Sequence, residues 1–216
     1  ISAESGVPTF RDSNGLWENH RIEEVASPEG FKRNPKMVLD FYNARRKQLL
    51  EVAPNEAHLI LAELEDFFEV HIITQNVDDL HERAGSTRVT HLHGELKKAR
   101  PIDSDTEIIF WEKDLNLGDL DENGIQLRPH IVWFGEMVPE MDRAISIARH
   151  AELLLVIGTS MQVYPAAGLI DYIPSNCKVY AIDPHLKNNF ADDANFLKMS
   201  ATEGMKKLKE ILIKNW

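Results

Sequence analysis

The sequence predicts an α/β fold, a parallel sheet with helices on both faces and one small insertion. Three observations predict it. Short apolar runs at 70–73, 153–157 and 178–182 have the length and β-branched content of strands, and the second is apolar throughout, as a strand covered on both faces would be. Helix-forming stretches at 36–50, 55–68 and 202–214 alternate with these runs, the pattern that builds parallel sheets. Each run ends at a small or polar residue, Thr74, Gly158 and Asp183, and open α/β sheets bind ligands just beyond the carboxyl ends of their strands.

A length of 216 residues suits one such domain with a small inserted module. No apolar run approaches the ~20 residues of a membrane-spanning helix, and no signal peptide is recognised, so neither a membrane nor export is expected. The net charge of -11 argues against nucleic-acid binding and favours basic partners such as lysine-rich peptides. A single cysteine, Cys177, excludes an internal disulfide framework and fits a reducing compartment, the cytoplasm. Beside a strand, it reads as a half-buried thiol.

Taken in order, residues 1–19 hold Gly6, Pro8, Asp12, Ser13, Asn14 and Gly15 and read as a polar loop. Residues 36–50 follow Pro35 and form a helix by propensity. Tyr42 and Arg45 lie three apart and share one of its faces; from spacing alone such a pair is usually on the surface. Residues 55–68 start at Pro54-Asn55 and place Ala57, Ile60, Leu61, Leu64, Phe67 and Phe68 on one apolar stripe. After the run at 70–73, Gln75, Asn76 and Asp78 stand where a polar ligand would be gripped. His91 and His93 follow in a short extended segment closed by Gly94. Such a pair suits a metal clamp or two core histidines equally, or a proton carrier at neutral pH. A third metal ligand at suitable spacing is lacking, so metal is set aside.

Residues 96–127 contain neither Cys nor His. Their possible ligands are the oxygens of Asp103, Asp105, Asp119, Asp121 and Glu122, which suit hard cations. DLDENG lacks the spacing and closing Glu of a calcium loop and reads as a solvated acidic turn. The expectation is a module held by Ile108, Ile109, Phe110, Trp111 and Leu115. The segment 128–136 is strand-like in its middle, and Gly158-Thr159-Ser160 after the run at 153–157 can approach a phosphate or ribose closely.

Five blocks carry a family resemblance: ISAESGVPTFRD at 1–12, TQNVDDLHERAG with HLHGE within 74–95, RPHIVWFGE at 128–136, VIGTS at 156–160 and AIDPH at 181–185. In this order, over nearly the whole chain, they resemble the sirtuins, NAD-dependent protein lysine deacylases. The resemblance implies a Rossmann-like catalytic domain, with its core at 1–95 and 128–216 and the module at about 96–127. It implies NAD as cofactor and acyl-lysine proteins or peptides as partners. Ala3, Glu4, Val7, Pro8, Thr9, Phe10 and Arg11 fall in the cofactor-binding loop, with Phe10 shielding the reactive ribose carbon and Arg11 near the phosphates. Gln75, Asn76, Val77 and Asp78 line the nicotinamide and ribose pocket. His93 matches the general base, joined by Asn76 and Asp78 as catalytic residues; His91 matches no catalytic role. Asp79 and His81 read as a helix start and a surface contact. Gly158, Thr159, Ser160, Asp183 (more often Asn in the family) and Ala201 contact the adenosine half. Val132, Phe134, Gly135 and Glu136 contact peptide and acyl group.

In sirtuins Tyr-x-x-Arg in this helix marks the branch that removes succinyl and malonyl groups, and a guanidinium with a phenol does suit an acyl carboxylate. In the implied reaction, the acyl oxygen attacks the ribose carbon as nicotinamide leaves. His93 then takes a proton from the ribose hydroxyls, a hydroxyl oxygen attacks the imidate carbon, and water completes the cycle, releasing free lysine and O-acyl-ADP-ribose. Two departures stand out. The family's module is usually held by zinc on two Cys-x-x-Cys pairs, absent here, so no zinc is expected. Its strand and Gly-Ala-Gly would come before Ile1, so preceding residues are expected. Two other classes stay open: an NAD glycohydrolase or mono-ADP-ribosyltransferase on the same fold, and a non-catalytic sensor of NAD or ADP-ribose.

Overall fold

The structure, a computed structural model, describes residues 1–8, 16–17, 20–159, 165–185 and 195–215. A 3-10 turn at Ser2–Ser5 is followed by an antiparallel pair, β1 (Leu16–Trp17) and β2 (His20–Arg21). Three helices come next: α1 (Ile22–Val25), α2 (Pro28–Arg33) and α3 (Pro35–Glu51). Their starts follow local chemistry. Ser27 Oγ accepts from the Gly30 N–H at 2.9 Å, and Asn34 Oδ1 accepts from the Met37 N–H at 3.2 Å. Pro28 and Pro35 sit in the first turns, where a missing N–H leaves nothing unsatisfied.

Helix α4 (Glu56–Glu63) is capped by Asn55, whose side chain accepts from the Ala57 N–H. Ala57, Ile60, Leu61 and Leu64 are buried as the stripe predicts, but Phe67 is 60% exposed. The chain tightens into a 3-10 turn at Leu64–Asp66, and the change in residues per turn swings Phe67 off the stripe. Then come β3 (Ile72–Thr74), α5 (Leu80–Ala84), closed by Gly85 at φ +106°, and β4 (Val89–His91), parallel to β3 with Thr74 opposite His91.

Strand β5 (Gly94–Pro101) pairs antiparallel with both β6 (Ile109–Phe110) and β7 (Leu127–Ile131). Ile108, Ile109 and Phe110 are 46%, 38% and 65% exposed, so they do not hold the module. The reason is that β6 is a two-residue strand at the outer edge of its sheet. The inserted segment is held by Leu115 and Leu127, buried with Ala99 against Leu39 of α3, and Trp111 adds to that cluster. Asn43 of α3 clamps it from both sides, donating to the Leu115 carbonyl at 3.0 Å and accepting its N–H at 2.8 Å. The acidic turn is satisfied locally: Asp121 Oδ1 accepts from the N–H groups of Asn123 and Ile125. No group of three His, Cys, Asp or Glu side chains converges among the described residues.

Helix α6 (Met141–Ala148), β8 (Leu153–Ile157), a 3-10 segment at Ala166–Tyr172, β9 (Lys178–Ile182), β10 (Phe196–Leu197) and α7 (Ala201–Asn215) complete the described chain. β8, β9 and β10 form a parallel sheet in that order. α4 and α7 pack on it through Ile60, Leu64, Ile182, Met205 and Leu208. β8 is half-exposed along its whole length rather than covered on both faces, because it is an outer strand that lines a large cavity. None of the described helices is long and apolar enough to cross a membrane.

Candidate functional site

The cavity occupies about 1450 Å³ between β3 and β8 and beyond their carboxyl ends. Gln75, Asn76, Val77 and Asp78 form its wall where β3 stops. Asn76 is held three ways: its N–H donates to Thr74 Oγ1 at 3.0 Å, its Nδ2 donates to Ser2 Oγ at 2.8 Å, and its carbonyl faces His91 Nδ1 at 3.2 Å. Gln75 Nε2 reaches Thr159 Oγ1 at 3.4 Å, across from the β8 side. Asp78 is only 4% exposed. Burial raises its carboxyl above the usual range, against hydrogen bonds from Ser2 and from the Leu80 N–H.

His93 also lines the cavity, and its Nδ1 faces the Gln75 carbonyl at 3.1 Å. A carbonyl can only accept, so Nδ1 carries the proton and Nε2 keeps its lone pair. Burial lowers the imidazole below its ordinary value, the Gln75 bond only partly offsetting it, which keeps the ring neutral at pH 7. Gly94 behind it is obligatory: φ is +80°, and a Cβ would lie 2.1 Å from the His130 carbonyl oxygen. The close contact of β5 with β7 thus fixes where His93 stands.

Tyr42 and Arg45 are 0% and 4% exposed and line this same cavity, not the outer surface. The face of α3 that they share turns inward, onto Trp133. Tyr42 Oη accepts from Trp133 Nε1 at 2.9 Å, and burial pushes the phenol far above its usual range. Val132, Phe134, Gly135 and Glu136, on either side of Trp133, also line the cavity. The strand ends at Ile131, so these four lie in the following turn, with Gly135 at φ +89° and Phe134 53% exposed. The Glu136 carboxylate is held by the protein itself. It accepts from Arg128 and from the Trp133 N–H at 2.7 Å, while the Arg128 guanidinium lies 3.3 Å from the Trp133 ring centre.

Ala3, Glu4, Val7 and Pro8 line the near side of the cavity. Glu4 is tied to the start of α7, where Oε1 accepts the Ala201 N–H at 2.6 Å and Oε2 accepts from Thr202. A carboxylate there satisfies orphan donors and meets the positive end of the helix. Gly158 has φ +60° and a Cβ on it would lie 2.6 Å from the Ile1 nitrogen. Thr159, Asp183 and Ala201 also line the cavity; Asp183 is 5% exposed and accepts from the His185 N–H. Thr9, Phe10, Arg11 and Ser160 lie outside the described residues.

Of two expectations for α5, one is corrected and one holds. His81 is 3% exposed rather than a surface contact; it packs edge-on to His58 with ring centres 4.8 Å apart. Burial pushes His81 of α5 down to about 4 and His58 of α4 to about 3. Asp79 does stand at the start of α5, though its carboxylate is turned to Lys97 at 2.8 Å and makes no side-chain cap. Ser2 and Trp133 were missed, since nothing local in the sequence signals contacts 74 and 91 residues away.

Comparison with known proteins agrees with this geometry. The Sir2 family pattern matches residues 1–165. An NAD-dependent protein deacylase of Helicobacter pylori is 56% identical over 214 residues, spanning 99% of this chain and 93% of the relative. One from Bacteroides thetaiotaomicron is 50% identical over 220 residues, spanning 99% and 94%. Among solved structures, a Sir2 homologue in complex with NAD superposes with a TM-score of 0.86 at 39% identity, over 99% of this chain and 86% of that one. The fold is thus that of these proteins, and the chain belongs to the Sir2 family.

Proposed function

We propose that this chain is an NAD-dependent protein lysine deacylase that removes succinyl, malonyl and acetyl groups, with His93, Asn76 and Asp78 as catalytic residues. One observation carries the reading. A neutral histidine with an open Nε2 shares a cavity with a buried tyrosine–arginine pair. The first can move a proton, and the second can recognise a carboxylate on the acyl group.

The residues present fit the cofactor. The buried Asp183 carboxylate suits a ribose hydroxyl, and Gly158 and Thr159 allow close backbone approach at the end of β8. Gln75, Asn76, Val77 and Asp78 supply amide and carboxyl groups for the nicotinamide half. Bound NAD supplies a ribose carbon that becomes reactive as its bond to nicotinamide breaks. His93 accepts a proton at Nε2 from a ribose hydroxyl, its ring held in one orientation by the Gln75 carbonyl. Val132, Phe134 and Gly135 border the cavity where a substrate peptide would lie, and Phe134 is exposed there. The reading comprises one catalytic domain, its core at 1–95 and 128–216, with a module at about 96–127 that holds together without zinc through Leu115. Its acyl-lysine partners would be met in a reducing compartment, the cytoplasm.

The test is turnover of one lysine peptide carrying acetyl, succinyl or malonyl by the full-length protein and its Arg45→Met variant. Losing a charge-assisted pair predicts a fall in desuccinylation of about 10- to 100-fold, with deacetylation kept. Equal acetyl and succinyl rates, unmoved by the substitution, would reject the acidic-acyl preference. NAD breakdown that needs no peptide would reject the deacylase and leave a glycohydrolase.

A further inference from the structure

His91 and His93 use Nδ1 alike and Nε2 differently. Each turns Nδ1 to a carbonyl of the loop after β3, His93 to Gln75 at 3.1 Å and His91 to Asn76 at 3.2 Å. His91 Nε2, however, lies 2.8 Å from Glu82 Oε1 on α5. Both partners of His91 are acceptors only, a carbonyl and a carboxylate. A neutral imidazole has one N–H and can serve one of them; the imidazolium serves both. The His91 side chain is 7% exposed, so water does little to replace a missing bond.

We propose that Glu82 and His91 form a positioning pair, in which the doubly protonated ring ties α5 to the Asn76 carbonyl and so holds the Asn76 side chain in the cavity wall. The proposal rests on the functional reading above for its consequence in turnover, though not for the charge state of the ring. Every charged or titratable neighbour can be named. Burial disfavours the charge on His91, but the bond and charge of Glu82, helped by Glu95 on β5, outweigh it and raise the imidazole above its ordinary value. His81 on α5 and Asp78 on the loop feel the same charge, which lowers both. Asn76 is thus gripped on its carbonyl by a cation and on its side chain by Ser2.

The sign of the pH effect follows. A group held charged by a partner loses its role as pH rises through its pKa, and Glu82→Gln brings that pKa down. The experiment is the pH profile of kcat for full-length wild type, Glu82→Gln and Glu82→Asp, with nitrogen NMR of the His91 ring. Wild type should show an imidazolium at pH 7.5. In Glu82→Gln the ring should be neutral, the alkaline limb should move down by about one pH unit, and kcat at pH 8 should fall about tenfold with partial recovery at pH 6. Glu82→Asp should restore most of the profile. A neutral His91 ring in wild type, or a Glu82→Gln profile lowered equally at every pH, would overturn the proposal. Absent deacylase activity in wild type would instead overturn the functional reading, with the NMR result still deciding the pair.

Discussion

Glu136 lines the cavity while its carboxylate is held by the protein itself, and Glu136→Gln separates a structural role from a substrate contact. Arg128 is 4% exposed, and its guanidinium donates to both Glu136 oxygens, one at 3.1 Å. Oε2 also takes the Trp133 N–H, and Arg100 Nη2 lies 3.5 Å from Oε1. A glutamine keeps the shape but removes the charge and turns an NH2 group toward one of these donors. Breaking a buried pair by removing one partner costs about 3–5 kcal/mol. The Glu136 side chain is 19% exposed, so some water relieves the orphaned guanidinium and the lower end, about 3 kcal/mol, applies. For a chain of this length that lowers Tm by about 6–12 °C. The assay pairs thermal and urea denaturation with KM for an acyl-lysine peptide measured well below Tm. KM should stay within about twofold. A Tm within about 2 °C of wild type together with a tenfold rise in peptide KM would show that the carboxylate faces substrate and that the clamp is misread.

His93→Ala should abolish turnover while NAD still binds by calorimetry; turnover within about tenfold of wild type would remove His93 as base. Because burial lowers His93, wild-type kcat/KM should hold as pH falls below the ordinary histidine value of about 6.5, and an acid limb centred above 7 would contradict the cause assigned. Leu115→Ala should cost about 3 kcal/mol in urea unfolding and Phe110→Ser nearly nothing, and the reverse order would return the module to Phe110. His58 and His81 have folded values near 3 and 4, far below the unfolded value, so the folded state binds fewer protons. The stability present above pH 6.5 should drain as pH falls toward 4, and His58→Leu should flatten that slope; an unchanged slope would sink the account.

What was legible in the sequence lies on the scale of one element. Asn55 before α4 and Pro35 at the head of α3 are local instructions, and both helices start there. The apolar runs at 153–157 and 178–182 are β8 and β9, residue for residue. Periodicity names a face without naming its partner, and the misreadings follow from that. Phe67 obeyed the helical period until the helix tightened. Ile108, Ile109 and Phe110 are as apolar as Leu115, yet Leu115 alone is clamped by Asn43 from 72 residues away. In 128–136 the strand stops at Ile131 because Glu136 folds back to its own Arg128. The site was read through matched motifs, and its supports, Ser2 on Asn76 and Trp133 on Tyr42, were visible only in three dimensions.

The bond between Glu4 and Ala201 joins residues 197 positions apart. Contacts of such separation close the largest loops and are made late in folding. During synthesis α7 must leave the ribosome before it can receive this carboxylate, so the cavity wall shared by Ala3 and Ala201 is completed after the elements between them have emerged. Until then the nascent chain can hold its α3 and β5 packing with the dinucleotide side unfinished. Competence for the cofactor therefore arrives with the final helix, and truncations within α7 should strip it away while leaving much of the rest folded.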